Sequence, residues 1–471
     1  MQKGAVILER AELQAKKDTR SPEQILREVM EACADCDSCR YLMQDSCLFF
    51  PELYRLYDRG EQELKPAKPD ELLRMADLCT YCGLCPCEFV PQDVFLAKAR
   101  DVQKQGLDMG TRVIAHVQSM GKLGAFAPGL VQSFLKLSSV REFAKRLTGV
   151  HPSRELPEQP KQSFFAWAKK RDLHKDQEHS CQVAYFAGCS AGYFFPEVAR
   201  CTVKVLEQSS IQVFVPQQEC CGMPAYLEGD AHYALQKAKY NLQSLQQAVD
   251  EGYTPVFSCP TCSFMFRVLL KARAVYSNAY QDLLQAKNGE VIVPDAQGEL
   301  HSLKKALAGN QLKDEGYFSG LDPLQRISLG QNILDMGEYL QSLFKNGSLD
   351  TNFGKLNWDM VHFVPCHQRE QAQGGHSPYQ EILSMIPGLR ITRVGGIMDC
   401  CGMGGNKGFK QDFHQESIEL AGPLLRKIRA AKPQGIITEC LSCRLQFEHL
   451  LDLPVLHPLQ VLSKAYAAGR E

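Results

Sequence analysis

Cys220-Cys-Gly-Met-Pro224 recurs nearly unchanged as Cys400-Cys-Gly-Met-Gly404, 180 residues further along the chain. Each copy is preceded by one cysteine that follows an apolar run, and each is followed by a Cys-x-x-Cys pair. The same five cysteines therefore occur twice in the same order, with offsets of 177, 180 and 181 residues between equivalent cysteines. A repeat with such constant offsets indicates that one structural unit has been duplicated.

Apolar runs alternate with amphipathic stretches around both copies. In the first copy, the pattern predicts alternating strands and helices at 183–186, 198–208, 211–215, 232–252 and 255–258. In the second copy, the corresponding elements are predicted at 360–364, 389–394, 414–431 and 435–438. Strands that alternate with helices are typical of a parallel sheet. The predicted fold class is therefore α/β, with a duplicated, pseudo-symmetric domain whose copies we name the first and second CCG units.

Each CCG unit supplies five cysteines to one candidate metal site. They are Cys189, Cys220, Cys221, Cys259 and Cys262 in the first unit, and Cys366, Cys400, Cys401, Cys440 and Cys443 in the second. Five thiolates exceed what a four-coordinate zinc ion or a single cubane requires. Adjacent cysteines cannot easily bind one iron, so they suit a cluster with two irons side by side, and Gly222 and Gly402 permit a close or left-handed backbone. The alternative is a set of buried structural cysteines.

Two further groups of cysteines lie near the N-terminus, each as a triplet with two-residue gaps. The triplets are Cys33, Cys36 and Cys39, and Cys79, Cys82 and Cys85. This spacing is similar to that of ferredoxins, in which three thiolates bind one face of a [4Fe–4S] cubane and a distant cysteine completes it. Zinc sites use paired Cys-x-x-Cys motifs, so two complete triplets favour two cubane clusters over zinc.

The fourth ligand of each cubane is expected to come from the other group. Cys47 follows the first triplet by eight residues, and Cys87 follows the second by two. In two-cluster ferredoxins the fourth cysteine binds the other cluster, and the one-residue gap after Cys85 favours the same crossing. We predict cluster 1 at Cys33, Cys36, Cys39 and Cys87, and cluster 2 at Cys79, Cys82, Cys85 and Cys47. The alternative is that one fourth ligand is absent and its cluster is labile.

The composition limits the class of protein and its location. The 471 residues include 20 cysteines and carry a net charge of −1, without the basic excess of a dedicated nucleic-acid binder. The apolar stretch near the N-terminus is too short for a signal peptide. The longest charge-free apolar run, residues 123–135, contains Pro128 and is too short to span a bilayer. We expect reduced, metal-binding thiols in the cytoplasm, with Cys181 and Cys201 as plain buried cysteines.

The cysteine groups divide the chain into five predicted segments. They are a mostly α-helical, ferredoxin-like domain with two clusters at 1–95, a basic helical linker at 96–180, the first CCG unit at 181–290, a helical connector at 291–355 and the second CCG unit at 356–471. Within the first segment, Ser21-Pro-Glu-Gln24 predicts a helix start, and residues 69–78 predict a further helix between the two cysteine groups.

The linker is basic, with 15 Lys and Arg against 6 Asp and Glu between residues 96 and 175. Its stretch 121–146 mixes apolar and basic residues, among them Lys122 and Lys145. This stretch is expected either to lie on an anionic membrane surface or to pack on its own domain. The aromatic run at 164–171 is either an interfacial anchor or part of the core.

Two further observations concern chemistry. His367 lies beside Cys366 and is expected either to tune that cluster or shuttle a proton, or to serve only as a hydrogen-bonding group. The sequence contains no P-loop, no Gly-x-Gly-x-x-Gly between a strand and a helix, and no nucleophile elbow. We therefore expect no flavin or NAD on this chain, and an FAD-containing dehydrogenase subunit as its partner.

These motifs together resemble a known family. The stretches that carry the resemblance are Phe186-Ala-Gly-Cys189, Cys220-Cys-Gly-Met-Pro224, Thr261-Cys262, Pro365-Cys-His367, Cys400-Cys-Gly-Met-Gly404 and Cys440-x-x-Cys443. They are similar to the CCG (cysteine-rich) domain of iron–sulfur oxidoreductases. This family includes the B and D components of heterodisulfide reductase and the iron–sulfur subunits of glycolate oxidase and anaerobic glycerol-3-phosphate dehydrogenase. The whole layout from residue 33 onward most resembles the last of these.

The resemblance implies one or two further iron–sulfur clusters in the CCG units, cubane or non-cubane [4Fe–4S]. The sequence departs from the family pattern in the spacing of Cys47 and Cys87. It also keeps five cysteines in both CCG units, whereas some dehydrogenase relatives have a degenerate first unit. Two complete units are similar to the heterodisulfide reductases, whose CCG clusters are non-cubane.

The predicted function is that of an iron–sulfur electron-transfer subunit of a membrane-associated respiratory dehydrogenase. It would take electrons from the FAD-containing subunit and pass them to quinone or a membrane subunit at the inner face of the cell membrane. The alternative is a heterodisulfide-reductase-like catalytic subunit that reduces a disulfide at a non-cubane cluster. A third hypothesis, a zinc-bound scaffold protein, predicts a colourless preparation.

Overall fold

The computed structural model describes residues 20–87, 89–126, 138–157, 159–175, 182–295, 298–304, 313–314, 316–371 and 375–470. Cys181, expected to be a buried cysteine, lies outside the described residues, as does the central part, 127–137, of the stretch expected to contact a membrane. Among the helices that the structure does describe, none combines the length and the apolarity that crossing a bilayer requires.

The N-terminal part is built from helices whose apolar faces pack against one another. Their bounds are Pro22–Cys36 (α1), Ser38–Leu42 (α2), Phe49–Glu63 (α3), Pro69–Leu78 (α4) and Phe89–Gln105 (α5). Helix α1 begins where the sequence predicts a start. The Ser21 hydroxyl accepts a hydrogen bond from the Gln24 backbone N–H, and the Gln24 side chain accepts one from the Ser21 N–H. Helix α4 has the predicted bounds.

The basic segment between the N-terminal helices and the first CCG unit packs on both CCG units. Its described helices are Met109–Ala115 (α6), Val117–Phe126 (α7), Ser138–Thr148 (α8) and Phe164–Lys170 (α9). The aromatic run in α9 belongs to the core, because Phe164 is fully buried and its ring centroid lies 5.6 Å from that of Tyr185. The structure thereby confirms the core alternative for this run.

The first CCG unit contains a parallel sheet. Its strands and the hairpin that follows are Gln182–Phe186 (β1), Gln212–Phe214 (β2), Thr254–Phe257 (β3), Glu290–Pro294 (β4), Leu300–Lys304 (β5) and Leu334–Asp335 (β6). The helices of this region are Pro196–Gln208 (α10), Met223–Leu227 (α11), Ala231–Asp250 (α12), Pro260–Phe264 (α13), Asn278–Leu283 (α14), Pro323–Asn332 (α15) and Met336–Lys345 (α16). The sheet order is β2-β1-β3-β6, with every pair parallel.

The second CCG unit repeats this arrangement. Its strands are Asp359–Phe363 (β7), Arg390–Val394 (β8), Gly435–Ile437 (β9) and Val455–Leu456 (β10). Its helices are Cys366–Gln371 (α17), Gln380–Ser384 (α18), His414–Ala431 (α19), Leu441–Leu450 (α20) and Pro458–Ala468 (α21). The sheet order is β8-β7-β9-β10, again parallel throughout, so equivalent strands occupy equivalent places. The predicted fold, a duplicated α/β domain after a helical region, is confirmed.

The segment 291–355, predicted to be a helical connector, contains strands as well as helices. Strands β4 and β5 pair as an antiparallel hairpin. The two-residue strand β6 then joins β3 as the fourth strand of the first sheet. A strand this short carries no detectable alternation of apolar residues, which is why the sequence does not reveal it.

Charged side chains connect the helical part with both CCG units. The buried Lys98 of α5 lies 2.8 Å from the half-exposed carboxylate of Asp77, and the partly exposed Lys410 of the second unit lies 2.9 Å from the buried carboxylate of Glu228 in the first. Lys407 of the second unit donates a hydrogen bond to the backbone carbonyl of Asp77. The three parts therefore share one network of ion pairs and hydrogen bonds.

Candidate metal centres

The five cysteines of each CCG unit follow the carboxyl ends of three adjacent parallel strands. Cys189 follows β1, Cys220 and Cys221 follow β2, and Cys259 and Cys262 follow β3. In the second unit, Cys366 follows β7, Cys400 and Cys401 follow β8, and Cys440 and Cys443 follow β9. The carboxyl ends of parallel strands meet at one edge of a sheet, where open α/β folds bind their ligands.

Thiols from different loops meet at this edge. The Sγ atoms of Cys189 and Cys220 are 3.5 Å apart, and those of Cys401 and Cys443 are 3.0 Å apart. All 19 cysteines that the structure describes are free thiols. Each unit therefore gathers sulfur donors from three separate loops into one group.

The glycine of each Cys-Cys-Gly motif has the geometry that the sequence predicts. Gly222 and Gly402 have φ angles of +94° and +82°, in the left-handed region that favours glycine. A Cβ atom would lie 3.0 Å from the carbonyl oxygen of Ala234 at Gly222, and 2.0 Å from that of Ser417 at Gly402. The backbone at these glycines therefore passes close to α12 in the first unit and α19 in the second.

The first N-terminal triplet interacts with Cys87. Burial raises the pKa of Cys33 to about 12, and the neighbouring charges of Cys39 and Cys87 act in the same direction. Burial also raises the pKa of Cys39, with Cys36 and Cys87 as the charged neighbours. Cys36 and Cys87 are exposed. This group therefore reaches the protein surface.

The second triplet interacts with Cys47. Burial raises the pKa of Cys47 to about 12, and the charges of Cys82 and Cys79 add to the effect. The backbone around this triplet turns through left-handed residues, Tyr81 with φ +48° and Gly83 with φ +82°. The thiols are thus grouped in the crossed arrangement that the sequence predicts, whereas their role as cluster ligands stays a prediction.

The thiol groups form a series. Burial strongly raises the pKa of Cys85, and Cys39 of the first triplet is among the charged neighbours that raise it further. Burial likewise raises the pKa of Cys366 well above its usual value, with Cys82 and Cys401 as charged neighbours. Two pairs of neighbouring thiols therefore join the N-terminal groups to the second CCG unit. They are Cys39 with Cys85, and Cys82 with Cys366.

His367 is a buried hydrogen-bonding residue at the meeting point of the three parts. Its Nδ1 lies 3.0 Å from Thr261 Oγ1, and its Nε2 lies 2.8 Å from the carbonyl oxygen of Tyr81. The imidazole also stacks on Phe264, with ring centroids 4.4 Å apart. Burial lowers the pKa of His367 to about 4, so the ring is neutral at physiological pH. Of the roles expected for His367 from the sequence, the hydrogen-bonding role is the one that these contacts support.

The spacing of the thiols fits clusters better than single ions. Four thiolates around one zinc ion lie about 3.8 Å apart, given tetrahedral Zn–S bonds of about 2.3 Å. Within the described residues, no three cysteine sulfurs lie within 4.8 Å of one another. Ligands of a four-iron cluster bind separate irons and are spaced more widely. The side-chain amide of Gln368, buried two residues after Cys366, also has no hydrogen-bond partner among the described residues, as expected beside a missing polar group.

Several residues near the thiols escape the sequence analysis. The side-chain oxygen of Gln118 accepts a hydrogen bond from the backbone N–H of Cys220 at 3.0 Å. Arg154 and Arg369 are buried beside the second CCG unit. None of the three lies in a motif or a periodic stretch, so no local signal could have identified them. Cys201, expected to be buried, is only partly buried.

Comparison with known proteins agrees with this architecture. The family model of the cysteine-rich domain, CCG, matches residues 183–267 and 360–448, which lie within the two α/β units. Two stretches of the chain therefore match the CCG domain, and the chain is similar to oxidoreductase subunits from two different enzymes. These matches support iron–sulfur clusters as the cofactors.

Three relatives illustrate the breadth of this class. The chain is 26% identical over 362 residues to the C component of anaerobic glycerol-3-phosphate dehydrogenase from Escherichia coli strain K12, a match covering 75% of this chain and 76% of that protein. It is 23% identical over 299 residues to the B component of fumarate reductase (CoM/CoB) from Methanothermobacter marburgensis, covering 62% and 48%. It is 23% identical over 295 residues to lactate utilization protein A 2 of Bacillus cereus strain Q1, covering 60% and 98%.

Proposed function

We propose that this chain is the electron-transfer subunit of a dehydrogenase, passing electrons from an FAD-containing partner subunit to quinone at the membrane. The observation that carries the proposal is the series of thiol groups. It begins at the exposed Cys36 and Cys87, continues through Cys39 and Cys85, and reaches the second CCG unit through Cys82 and Cys366. A series that connects the surface with the interior is what electron relay requires.

The proposed ligand sets are those that the sequence predicts. Cluster 1 is a [4Fe–4S] cubane at Cys33, Cys36, Cys39 and Cys87, and cluster 2 is a cubane at Cys79, Cys82, Cys85 and Cys47. The CCG units bind one further cluster each, through Cys189, Cys220, Cys221, Cys259 and Cys262, and through Cys366, Cys400, Cys401, Cys440 and Cys443. When bound, the clusters supply one-electron carriers.

The protein controls these centres through burial and hydrogen bonding. Buried thiols with raised pKa values, such as Cys33 and Cys47, do not ionise together unless a cation compensates their charge. Gln118 and His367 hold the backbone of Cys220 and Tyr81 in place. The helical part and both CCG units exclude water from the buried thiols and thereby set the local dielectric.

Three exposed apolar side chains in the basic segment support membrane contact. Leu123 and Phe126 of α7 are 69% and 90% exposed, and Phe143 of α8 is 68% exposed. Arg141 and Arg146 are exposed beside them in sequence and would attract anionic lipid. Lys145 does not contribute, because it is buried and donates a hydrogen bond to the Pro152 carbonyl. Lys122 lies 3.6 Å from Glu219.

Vesicle sedimentation tests the membrane contact. The protein is expected to sediment with vesicles of phosphatidylglycerol and phosphatidylcholine, and less with phosphatidylcholine alone. Phe126→Asp should weaken this binding. The control Leu283→Asp changes a side chain that is 64% exposed outside the linker and should leave binding unchanged.

The electron route is tested with anaerobically purified protein. Iron is counted first, and about 16 iron atoms per chain are expected if all four sites hold four-iron clusters. The protein is then reduced with dithionite, freed of excess reductant and mixed with a water-soluble benzoquinone, which takes up two electrons and two protons. Cys366→Ala should slow reoxidation while leaving the N-terminal clusters reducible. Cys201→Ala, which alters a thiol outside all four groups, should behave as the unmodified protein.

The alternative function is disulfide reduction at a CCG cluster. It is favoured by the complete set of five cysteines in each unit. It predicts a new paramagnetic signal when thiol is added to mildly oxidised protein, because substrate sulfur would bind the cluster. Full iron content without a thiol-dependent signal would support the quinone route instead.

A further inference from the structure

An arginine from the basic segment is buried inside the second CCG unit. Arg154 is 1% exposed. Its Nε donates to His414 Nδ1 at 3.0 Å, its Nη2 donates to Ser417 Oγ at 2.9 Å, and its Nη1 donates to Gln446 Oε1. The partners lie on α19 and α20, the two helices that follow the cysteine loops of this unit.

All three acceptors are neutral. Within the described residues, no carboxylate forms an ion pair with Arg154. By contrast Arg326, which is equally buried, lies 2.8 Å from the carboxylate of Asp314. Burial lowers the pKa of Arg154 to about 10, so the guanidinium is still charged at neutral pH. A buried cation without a carboxylate partner is costly and requires some other negative charge nearby.

The nearest source of negative charge is the cysteine site. Ser417, which accepts a hydrogen bond from Arg154, also has its carbonyl oxygen against Gly402, directly after Cys401. Cys401 is an anionic neighbour that favours the charged form of Arg154. Arg369, also buried, donates to the backbone carbonyls of Gly396 and Asp399. Its charge acts on Cys401 and Cys366 of the same α/β unit.

The first CCG unit is different. The cation that acts on its cysteines is Lys237, which lies beside Cys220 and forms an ion pair with Glu219. Lys122 lies 3.6 Å from the same carboxylate. Both lysines near the first unit therefore have Glu219 as an acidic partner, whereas, among the described residues, no carboxylate forms an ion pair with Arg154 or Arg369 in the second.

We propose that Arg154 is a fixed counter-charge that raises the reduction potential of the cluster bound by the second CCG unit. An added electron makes the cluster more negative, and a buried positive charge stabilises that state. The cluster of the second unit then has the higher reduction potential of the two CCG clusters. It receives the electrons that reach it by way of Cys82. This inference rests on the proposed function, since it requires a cluster at that site.

Redox titration monitored by EPR tests the inference. The signal of the second unit is identified as the one that Cys401→Ala abolishes. In Arg154→Gln, the ratio of reduced to oxidised cluster at a given applied potential should fall at least tenfold, which corresponds to about 59 mV for a one-electron couple. Arg154→Lys should restore most of the ratio. Arg390→Gln removes an equal charge from the surface of the same unit and should change nothing.

Each other outcome is decisive. An unchanged potential in Arg154→Gln with full iron content overturns the inference. If Arg154→Gln loses the iron but Arg154→Lys keeps it at an unchanged potential, the charge is required and the inference stands. If both variants lose the iron, Arg154 acts through packing and the inference fails. Absence of iron from the second unit of the unmodified protein would instead refute the proposed function.

Discussion

Residues with left-handed backbone angles lie beside the cysteines. Gly188 precedes Cys189, Gly222 and Gly402 end the two Cys-Cys-Gly motifs, and Tyr81 and Gly83 flank Cys82. Each of these positions needs a backbone angle in the left-handed region, which glycine adopts at little cost. The conformation of these few residues therefore determines the geometry of the candidate metal centres.

Gly402 is predicted to be the most sensitive of these glycines. Gly402→Ala would bring a Cβ atom to 2.0 Å from the Ser417 carbonyl oxygen and force a backbone shift beside Cys401. Overpacking costs about 1–3 kcal/mol, in addition to about 1–2 kcal/mol for the left-handed angle. We expect a lower free energy of unfolding in denaturant and loss of the iron of the second CCG unit.

Gly252→Ala is the matched control for this prediction. Gly252 has a φ angle of +90°, but a Cβ atom there would meet nothing within 4 Å. This variant should lose only the conformational contribution and keep its full iron content. Equal losses in the two variants would contradict the steric explanation.

His457 is predicted to make the protein sensitive to acid. Its Nδ1 accepts the Leu459 N–H at 3.1 Å, and its Nε2 lies 3.0 Å from the Ser258 carbonyl oxygen. Burial lowers the pKa of His457 to about 4. The unfolded chain therefore binds a proton near pH 6.5 that the folded chain does not, and stability is lost as the pH falls from 6.5 towards 4.

His457→Asn should reduce this loss, because the asparagine amide oxygen can still accept the Leu459 N–H and does not titrate. The contribution is about 3 kcal/mol at pH 4, from a shift of about 2.5 pH units. Denaturant unfolding at pH 7 and pH 4.5 would measure it. His367 and His414 also have lowered pKa values, so part of the pH dependence should persist in the variant.

At the scale of secondary structure, local signals predict most of the elements. Helices α1 and α4 begin at Ser-Pro and Lys-Pro sequences with capping residues, and the pattern predicts α19 over its observed range. Strands β1, β3 and β7 are predictable because each contains an apolar run that ends near a cysteine. Caps, apolar runs and amphipathic periodicity act over a few residues and can be recognised without knowledge of the fold.

The elements that the sequence does not reveal depend on distant contacts. Strands β6 and β10 are two residues long and exist because a parallel neighbour is present. The hairpin of β4 and β5 carries little apolar alternation, and all of β5 is exposed. Arg154 enters the second CCG unit from more than 200 residues away in sequence. Such contacts are formed by the tertiary structure and leave no local pattern.

The crossed grouping of Cys47 and Cys87 leads to a prediction about the N-terminal helices. If Cys47 binds cluster 2, the EPR spectrum of Cys47→Ala should match that of Cys82→Ala and differ from that of Cys36→Ala. Cys87→Ala should show the opposite match. Each variant should lose the iron of one cluster, whereas Cys201→Ala should lose none. Spectra that pair each variant with its own sequence neighbours would show an uncrossed arrangement.

At the scale of the whole molecule, the helical part and the two CCG units share contacts. As long as these contacts are intact, the three parts unfold as one unit. The network of Lys98, Lys407 and Lys410 with Asp77 and Glu228 lies between the helical part and both CCG units. Lys98 and Glu228 are each about 5% exposed or less. The network carries three cations and two carboxylates, so each carboxylate compensates charge from more than one part of the chain.

Glu228→Gln is expected to destabilise the whole molecule. It leaves the buried Lys98 and Lys407 and the partly exposed Lys410 with one carboxylate, and removing one partner from a buried ion pair costs at most about 3–5 kcal/mol. Denaturant unfolding followed by circular dichroism would measure the loss, and a separate early transition would indicate that one part detaches first. Glu63→Gln, which breaks the exposed pair with Lys65, should change stability by no more than about 1 kcal/mol. A similar loss in both variants would contradict this role of the network.

The interleaving of the N-terminal thiols has a consequence for biosynthesis. Cys33 is grouped with Cys87, and Cys47 with the triplet that ends at Cys85, so the second group of four lies within the span of the first along the chain. Neither group is complete until residue 85 has left the ribosome, and both are complete by residue 87. Iron–sulfur assembly factors would therefore meet either two unfinished sites or two finished ones, and the two N-terminal clusters should be inserted together after this part of the chain has been translated.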